Sequence, residues 1–362
     1  MSLSLPDFPW DSLAPYRQRA ASHPEGLIDL SVGSPVDPSP AVAPEALEEA
    51  SQAPSYPLTA GSAELVEAMA NWWERRRGTG PLSEREVMPS IGSKEMVGLL
   101  PTLLGLSSGD TVVIPEIAYP TYAIGAHVVG ARVVASNDPA QWPRETKLVW
   151  LNSPGNPTGQ VRDVDYLRDA LVAARELGAV IASDECYAEL GWEAHDVPSL
   201  LDSRVVQGDR SGALALYSTS KQSNLAGYRA ALVAGDGEFI QTILGVRKHL
   251  GLIMPAPIQA ALGAVLGDDT HVAAQKEIYR GRRQMVRQAL LAADFRVDHS
   301  EAGLYLWVTR DEDCWDTLSW FAQRGVLVAP GSFYGEDGER HVRVALTVSD
   351  KHAEALGARL ST

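Results

Sequence analysis

Cysteine is scarce in this 362-residue chain. Its two copies, Cys186 and Cys314, lack metal-ligand spacing and cannot build a disulfide framework, which excludes the stapled scaffolds of small secreted domains. Cations are also few: 31 Lys and Arg stand against 46 Asp and Glu, for a formal net charge of −15. Nucleic-acid binding needs clustered positive charge to neutralise phosphates, so no nucleic-acid partner is expected. The one tight basic cluster, Arg75-Arg76-Arg77, ends a helical pattern and reads as cations at a helix C-terminus. No apolar stretch reaches the roughly 18 residues that cross a bilayer. The first ten residues lack the basic-then-apolar order of a signal peptide. No Gly-x-Gly-x-x-Gly turn follows the first strand, which argues against a dinucleotide enzyme. The expectation is a soluble, cytoplasmic protein with no membrane partner and no metal.

What the chain does have is apolar mass, 45% hydrophobic residues and 9 Trp, enough for a substantial core. Its length exceeds what one small core organises, so a large and a smaller domain are expected. Residues 1–57 are rich in Pro and Ser and read as an irregular arm. Leu65, Met69 and Trp72 then share one face of an amphipathic helix. Short apolar runs follow: Thr111 to Ile114, Arg132 to Val134, Leu148 to Leu151, Val180 to Ala182 and Ala213 to Leu216. Residues 163–177 between two of them carry helical spacing. Strands alternating with helices predict an α/β fold with a mainly parallel sheet covered by helices on both faces. Residues 239–293 read as helical with breaks near Pro255 and Pro257. The tail alternates strands at 304–308, 326–328 and 342–344 with helices at 316–324 and 350–360, a smaller α+β domain. The expected division is 1–40 as an arm joining the small domain, 41–275 as the large domain, and 276–362 as the small one.

Polar residues cluster where apolar strands end. Leu148 to Leu151 runs into Asn152-Ser153-Pro154-Gly155-Asn156-Pro157-Thr158-Gly159, Val180 to Ala182 into Ser183-Asp184-Glu185-Cys186-Tyr187, and Ala213 to Leu216 into Tyr217-Ser218-Thr219-Ser220-Lys221. Ligands of open α/β sheets bind beyond the carboxyl ends of strands. Singly, each signal has an ordinary reading: a turn for Asn-Pro-Thr-Gly, a helix N-cap for Asp184, a solvated charge for Lys221. Their order is the argument, since three strands would deliver an Asn, an Asp and a Lys to one crevice.

With these motifs, and with Gly-Tyr-Arg at 227–229, the chain resembles the class I and II aminotransferases, pyridoxal 5′-phosphate (PLP) enzymes of fold type I. Within them it is most similar to the N-succinyldiaminopimelate aminotransferases of lysine biosynthesis. The resemblance implies that Lys221 binds the cofactor covalently and then serves as a base, and that Asp184 pairs with the pyridine nitrogen. It implies hydrogen bonds from Asn156 and Tyr187 to the 3′-oxygen. Gly92, Ser93 and Lys94 at a helix start, with Ser218 and Arg229, would form the phosphate cradle. Lys94 would contribute its backbone, leaving its side chain to solvent. Tyr119 would stack on the pyridine ring, and Tyr56 would reach the phosphate of the neighbouring subunit in a homodimer with shared active sites. Gly33, Asn156 and Arg343 would contact substrate. An Arg flanked by apolar strand residues is costly to bury, and a bidentate carboxylate is a natural partner for Arg343.

The implied reaction moves an amino group between an amino acid and a 2-oxo acid, with glutamate as the donor and a long substrate bearing a distal acid. Arg17 and Arg19 are candidates for holding that acid, against a solvated-arm reading. The chain is short for the family, so closure of the arm over substrate is open. Other readings on the same fold are an aminotransferase for aspartate, alanine or aromatic amino acids, a carbon–sulfur β-lyase, a decarboxylase, and a regulatory ligand sensor. His127, His195, His249 and His299 read as structural or surface residues, and Cys186 as packing.

Overall fold

The computed structural model describes residues 5–194 and 196–361; His195 lies outside them. The large sheet contains β2 (Val87–Ile91), β3 (Thr111–Ile114), β4 (Arg132–Ala135), β5 (Thr146–Asn152), β6 (Val180–Asp184), β7 (Ala213–Ser218) and β8 (Ala230–Gly235), while β1 (Ile28–Asp29) lies elsewhere. Its order is β2-β8-β7-β6-β5-β3-β4, parallel except for β8, which runs against both neighbours. Alternate residues feed two cores. Val149, Leu151, Ile181, Ala213 and Ala215 face one, while Leu148, Trp150, Val180, Ala182, Leu214 and Leu216 face the other. Helices cover both faces, so these strands read as unbroken apolar runs rather than alternating ones.

Two strands were not legible. β2 contains Pro89, which removes a ladder donor and is tolerated because β2 is an edge strand paired only with β8. β8 reads Ala-Ala-Leu-Val-Ala-Gly, a composition poor in strand formers, and is held by burial on both sides.

The second sheet is antiparallel, β12 (Ala329–Pro330), β13 (Val342–Ala345), β10 (Tyr305–Thr309) and β9 (Arg296–Asp298), over a third core. The arm corrects the sequence reading. It contains a 3-10 turn at Pro9–Leu13, helices at Ala14–Ala21 and Val42–Glu49, and β1, which pairs in parallel with β11 (Val326–Leu327). Pro9 and Pro15 mark helix starts, where a missing N–H costs nothing, rather than breaks. Leu13, Ile28 and Leu30 are buried with the second sheet. The helical tail breaks after Leu250 as expected, and again at Asp268, whose side chain caps the helix Asp269–Ala292. That helix spans the expected boundary at 275.

The basic cluster is also more than helix-end charge. It ends the helix Ala63–Arg77, capped by Gly78, but Arg76 and Arg77 reach across to the segment after β6, while Arg75 pairs with Asp269. Arg77 donates to Glu185 Oε2 at 3.0 Å, with the two side chains 5% and 0% exposed. Arg76 pairs with the buried Glu189. Burial raises the Glu185 pKa, and the Arg77 cation, the Leu200 amide and the Ser199 hydroxyl oppose that rise. Arg77→Met strands a buried carboxylate and is expected to cost about 3–5 kcal/mol in urea unfolding, whereas Arg77→Met with Glu185→Met recovers most of it. A single-variant loss below about 1 kcal/mol, typical of a surface pair, would contradict the buried pairing.

Candidate active site

Parallel neighbours in register bring strand ends side by side. Asn152 at the end of β5 is paired with Asp184 at the end of β6, and Ser218 ends β7. Asn152 Nδ2 donates to the Asp184 carbonyl at 2.9 Å, and its Oδ1 accepts from the Asn156 amide at 2.7 Å. This folds the following loop back so that Asn156 faces the strand ends. The cavity above them has a volume of about 470 Å³. Its walls include Gly33, Ser93, Lys94, Tyr119, Asn156, Asp184, Tyr187, Ser218, Lys221, Arg229 and Arg343. Gly92 abuts it through Arg229. Tyr56 is 98% exposed and is not among the walls of its own chain's cavity.

Asp184 is buried, yet its partners are neutral. Oδ2 accepts from the Tyr122 hydroxyl at 2.9 Å and Oδ1 from the Cys186 amide at 3.2 Å. Burial raises its pKa, while Cys186 and Tyr122 pull the other way without prevailing. A cationic N–H placed against it would restore the carboxylate. Lys221, on the short helix Thr219–Gln222, donates from Nζ to the Gly33 carbonyl. Burial lowers its pKa below that of an ordinary lysine; nearby Arg343 and Arg229 act in the same direction, and Tyr305 and Cys186 oppose them. A Cβ at residue 33 would collide with the Tyr305 hydroxyl, so only glycine lets the arm approach this closely.

Gly92 caps the helix Ser93–Leu103 at φ 80°, a conformation suited to glycine, and a Cβ there would overlap the Arg229 guanidinium. The first amides of a helix lack intrahelical partners, and Ser93 and Lys94, which open this one, line the cavity. Arg229 Nη1 donates to the Ala226 carbonyl at 2.8 Å. Ser218 Oγ lies 2.8 Å from Ser220 Oγ and accepts from the Ser220 amide. Cation, hydroxyl and helix N-terminus thus line one cavity, the kinds of donor that an anion takes.

Arg343, in β13, also lines the cavity and is 2% exposed. It donates to Asn156 Oδ1 at 3.0 Å and to the Ser31 carbonyl at 2.6 Å, and lies 4.0 Å from the Tyr305 ring centroid. Its Nε is buried without a partner, and among the described residues no carboxylate pairs with it. Tyr187 and Tyr305 place their hydroxyls 3.2 Å apart. Burial raises the Tyr187 pKa, whereas at Tyr305 the Arg343 and Lys221 cations outweigh burial and lower it.

Lys94 is exposed, as its solvated-side-chain reading expects, and it also borders the cavity. Its ammonium lies over the rings of Phe8, at 5.3 Å, and Tyr119, at 5.9 Å, on the cavity wall. Arg17 also reaches the wall and pairs with Asp29 at 2.7 Å; Arg19 does not line it. Cys186 is a packing residue that also lines the cavity. Sequence reasoning missed Asn152, Tyr122, Tyr305, Phe8 and Trp10. Asn152 carried a usable signal, a strand-terminal Asn opposite Asp184; the others become neighbours only through the fold. Among the described residues, no group of His, Cys, Asp or Glu could hold a metal, and no helix is long and apolar enough to cross a membrane.

The sequence profile of the family "Aminotransferase class I and II" matches residues 25–360. The chain is 52% identical to a "Probable aminotransferase" of Mycobacterium tuberculosis over all of this chain and 86% of that protein. It is 49% identical to the 4-dedimethylamino-4-oxo-anhydrotetracycline transaminase of Streptomyces rimosus over 99% of each. A solved structure titled as a "probable N-succinyldiaminopimelate aminotransferase" of Thermus thermophilus superposes with a TM-score of 0.88 at 28% identity, covering 98% of this chain and 99% of that one. Family match and fold agree: the chain belongs to the class I and II aminotransferases, PLP-dependent transferases of fold type I.

Proposed function

We propose that the chain moves an amino group between N-succinyl-LL-2,6-diaminopimelate and 2-oxoglutarate, a step of lysine biosynthesis. The carrying observation is the buried guanidinium of Arg343, without a carboxylate partner among the described residues, in the cavity that Lys221 also lines, with Lys94 and Arg17 on the same walls. Arg343 grips the α-carboxylate common to both substrates as a bidentate pair. Lys94 and Arg17 receive the distal acid, which glutamate and the succinylated substrate share. The solved Thermus relative, by its title, supports this choice.

The cavity suits the cofactor. Asp184 would hold the proton of the ring nitrogen, Asn156 and Tyr187 the 3′-oxygen, Tyr119 the ring face, and Ser218, Arg229 and the amides at Gly92 to Lys94 the phosphate. When bound, PLP supplies an electron sink for charge developing at the substrate Cα. Lys221 Nζ, favoured as a neutral amine by burial, takes the proton from that carbon. Tyr56, exposed on its own chain, reaches the phosphate of a second subunit in a homodimer. A second reading is amino transfer to a bulky cyclic ketone; the 49% relative, by its name, and a wide cavity beside Trp10 favour it.

Three outcomes are expected. Borohydride reduction of the loaded protein fixes the cofactor on the peptide containing Lys221, read by mass spectrometry; label on another lysine would refute the assignment. Asp184→Asn retains cofactor but loses about a thousand-fold in kcat, because charge stabilisation is a large catalytic contribution; near-normal turnover would show that another group does this job. Lys94→Ala lowers kcat/KM for the succinylated substrate and for glutamate about ten-fold or more while sparing alanine, as loss of a charged hydrogen bond requires. Equal loss for alanine would place Lys94 elsewhere in the reaction, and a much higher kcat/KM for aspartate or aromatic amino acids would remove the lysine-pathway assignment.

A further inference from the structure

Lys221 sits on a short helix, Thr219–Gln222, and its Nζ donates to the Gly33 carbonyl, in a stretch of the arm without regular structure. Neither piece supports itself, because a single helical turn is unstable alone and irregular backbone has no ladder to hold it. Gly33 lies between two fixings of the arm. On one side, the Ala345 amide donates to the Leu30 carbonyl at 2.9 Å and the Thr347 hydroxyl to the Val32 carbonyl at 3.1 Å, tying the arm to β13 and the residues after it. On the other side, residues 37–39 are tied to the loop after Lys221 and to the helix Asp269–Ala292.

Asn224 makes that second fixing. It holds φ 54°, a left-handed angle that Asn tolerates and Gly adopts freely. Its Nδ2 donates to the Pro38 carbonyl at 3.2 Å and to Gln275 Oε1 at 2.8 Å. Its Oδ1 accepts from the Tyr279 hydroxyl at 3.3 Å, and its backbone carbonyl from the Ser39 hydroxyl at 3.3 Å. Gln275 carries the link onward, donating from Nε2 to Asp37 Oδ2 at 3.0 Å, and Arg282 grips both oxygens of Asp37 at 2.6 and 2.7 Å. One residue before Asn224, Ser223 Oγ lies 2.8 Å from His271 Nε2. His271, Gln275, Tyr279 and Arg282 recur at helical spacing, so one face of the helix carries a polar stripe. Gln275, Tyr279 and Arg282 are buried, and a buried polar network that is satisfied by set partners fixes position where apolar packing would allow sliding.

We propose that Asn224 and Gln275 are positioning residues for Lys221: they lock the loop that carries the lysine to the arm whose Gly33 carbonyl orients its amine, and so set the aim of that amine at the substrate Cα. Neither side chain is among the walls of the reaction cavity, so both act through Lys221 rather than on substrate. The proposal rests on Lys221 as the base that takes the Cα proton.

The test follows single turnovers of the PLP-loaded protein with L-glutamate and with glutamate deuterated at Cα, read by the absorbance of the bound cofactor, with competent sites counted by borohydride fixation at Lys221. Asn224→Gly keeps the backbone angle, and Gln275→Leu leaves Asp37 paired with Arg282 and Asn224 with Pro38. In each, the rate per competent site is expected to fall about ten-fold or more, because a displacement of about an ångström at the reacting atoms costs up to about a hundred-fold. The isotope effect should hold or rise, since the loss falls on the step that moves the proton, while the glutamate concentration at half-saturation shifts less than about two-fold. Gln275→Leu added to Asn224→Gly should cost less than about two-fold more, because both cut one link. A merely structural role predicts fewer competent sites with an unchanged rate per site. That result, an isotope effect falling toward unity, or losses that multiply in the double variant would overturn the proposal, and either single variant decides if the other fails to fold. If the wild type reacts and only the variants are unaffected, the brace alone fails; if the wild type does not react with glutamate, the role of Lys221 falls and the brace with it.

Discussion

A carboxylate buried among neutral partners is the constraint around which this site is organised. Asp184 sits at the end of a strand with both faces covered, and its partners are a phenol and an amide. Among the described residues no cation pairs with it, and burial opposes its charge. Folding tolerates this because β6 is fixed by β5 and β7 in register and because Arg77 and Ser199 satisfy the adjacent Glu185. A cationic ring nitrogen placed against it would offset that cost. Arg343 is the mirror case, a buried cation in the same cavity with no carboxylate partner among the described residues. In the proposed reading these are complementary deficits, one that a protonated ring would fill and one that a carboxylate would fill.

Much of the fold was legible because physics writes it locally. Parallel strands covered on both faces must be apolar throughout, so β3 and β5 to β7 stand out, and the residues that follow them mark the crevice. β2 and β8 did not, since Pro89 and an alanine-rich run look unlike strands until edge position and burial are known. The start of the arm hides its helical turns because Pro9 and Pro15 mark helix starts, whereas a Pro- and Ser-rich stretch reads as irregular. Within the site, the residues on strand ends and motif loops could be named in advance. Tyr122 could not: it reaches Asp184 across 62 positions of sequence. Tyr305 and Trp10 arrive from the second sheet and the arm, and no local pattern announces such meetings.

The arm ties these observations together. Its backbone at Gly33 accepts from Lys221, its Ser31 carbonyl accepts from Arg343, and its aromatic residues divide the reaction cavity from its neighbour. A segment that reads as low in structure therefore touches Lys221, Arg343 and the walls of both cavities. Small displacements of the arm would alter all of these contacts at once.

The claim that Asp184 exists to hold a cationic ring is tested most directly by nitrogen NMR of the protein loaded with ¹⁵N-labelled cofactor. The account predicts a protonated ring nitrogen across the neutral pH range in the wild type and a deprotonated one in Asp184→Asn. A neutral pyridine signal in the wild-type protein, or a protonated one that survives Asp184→Asn, would contradict it.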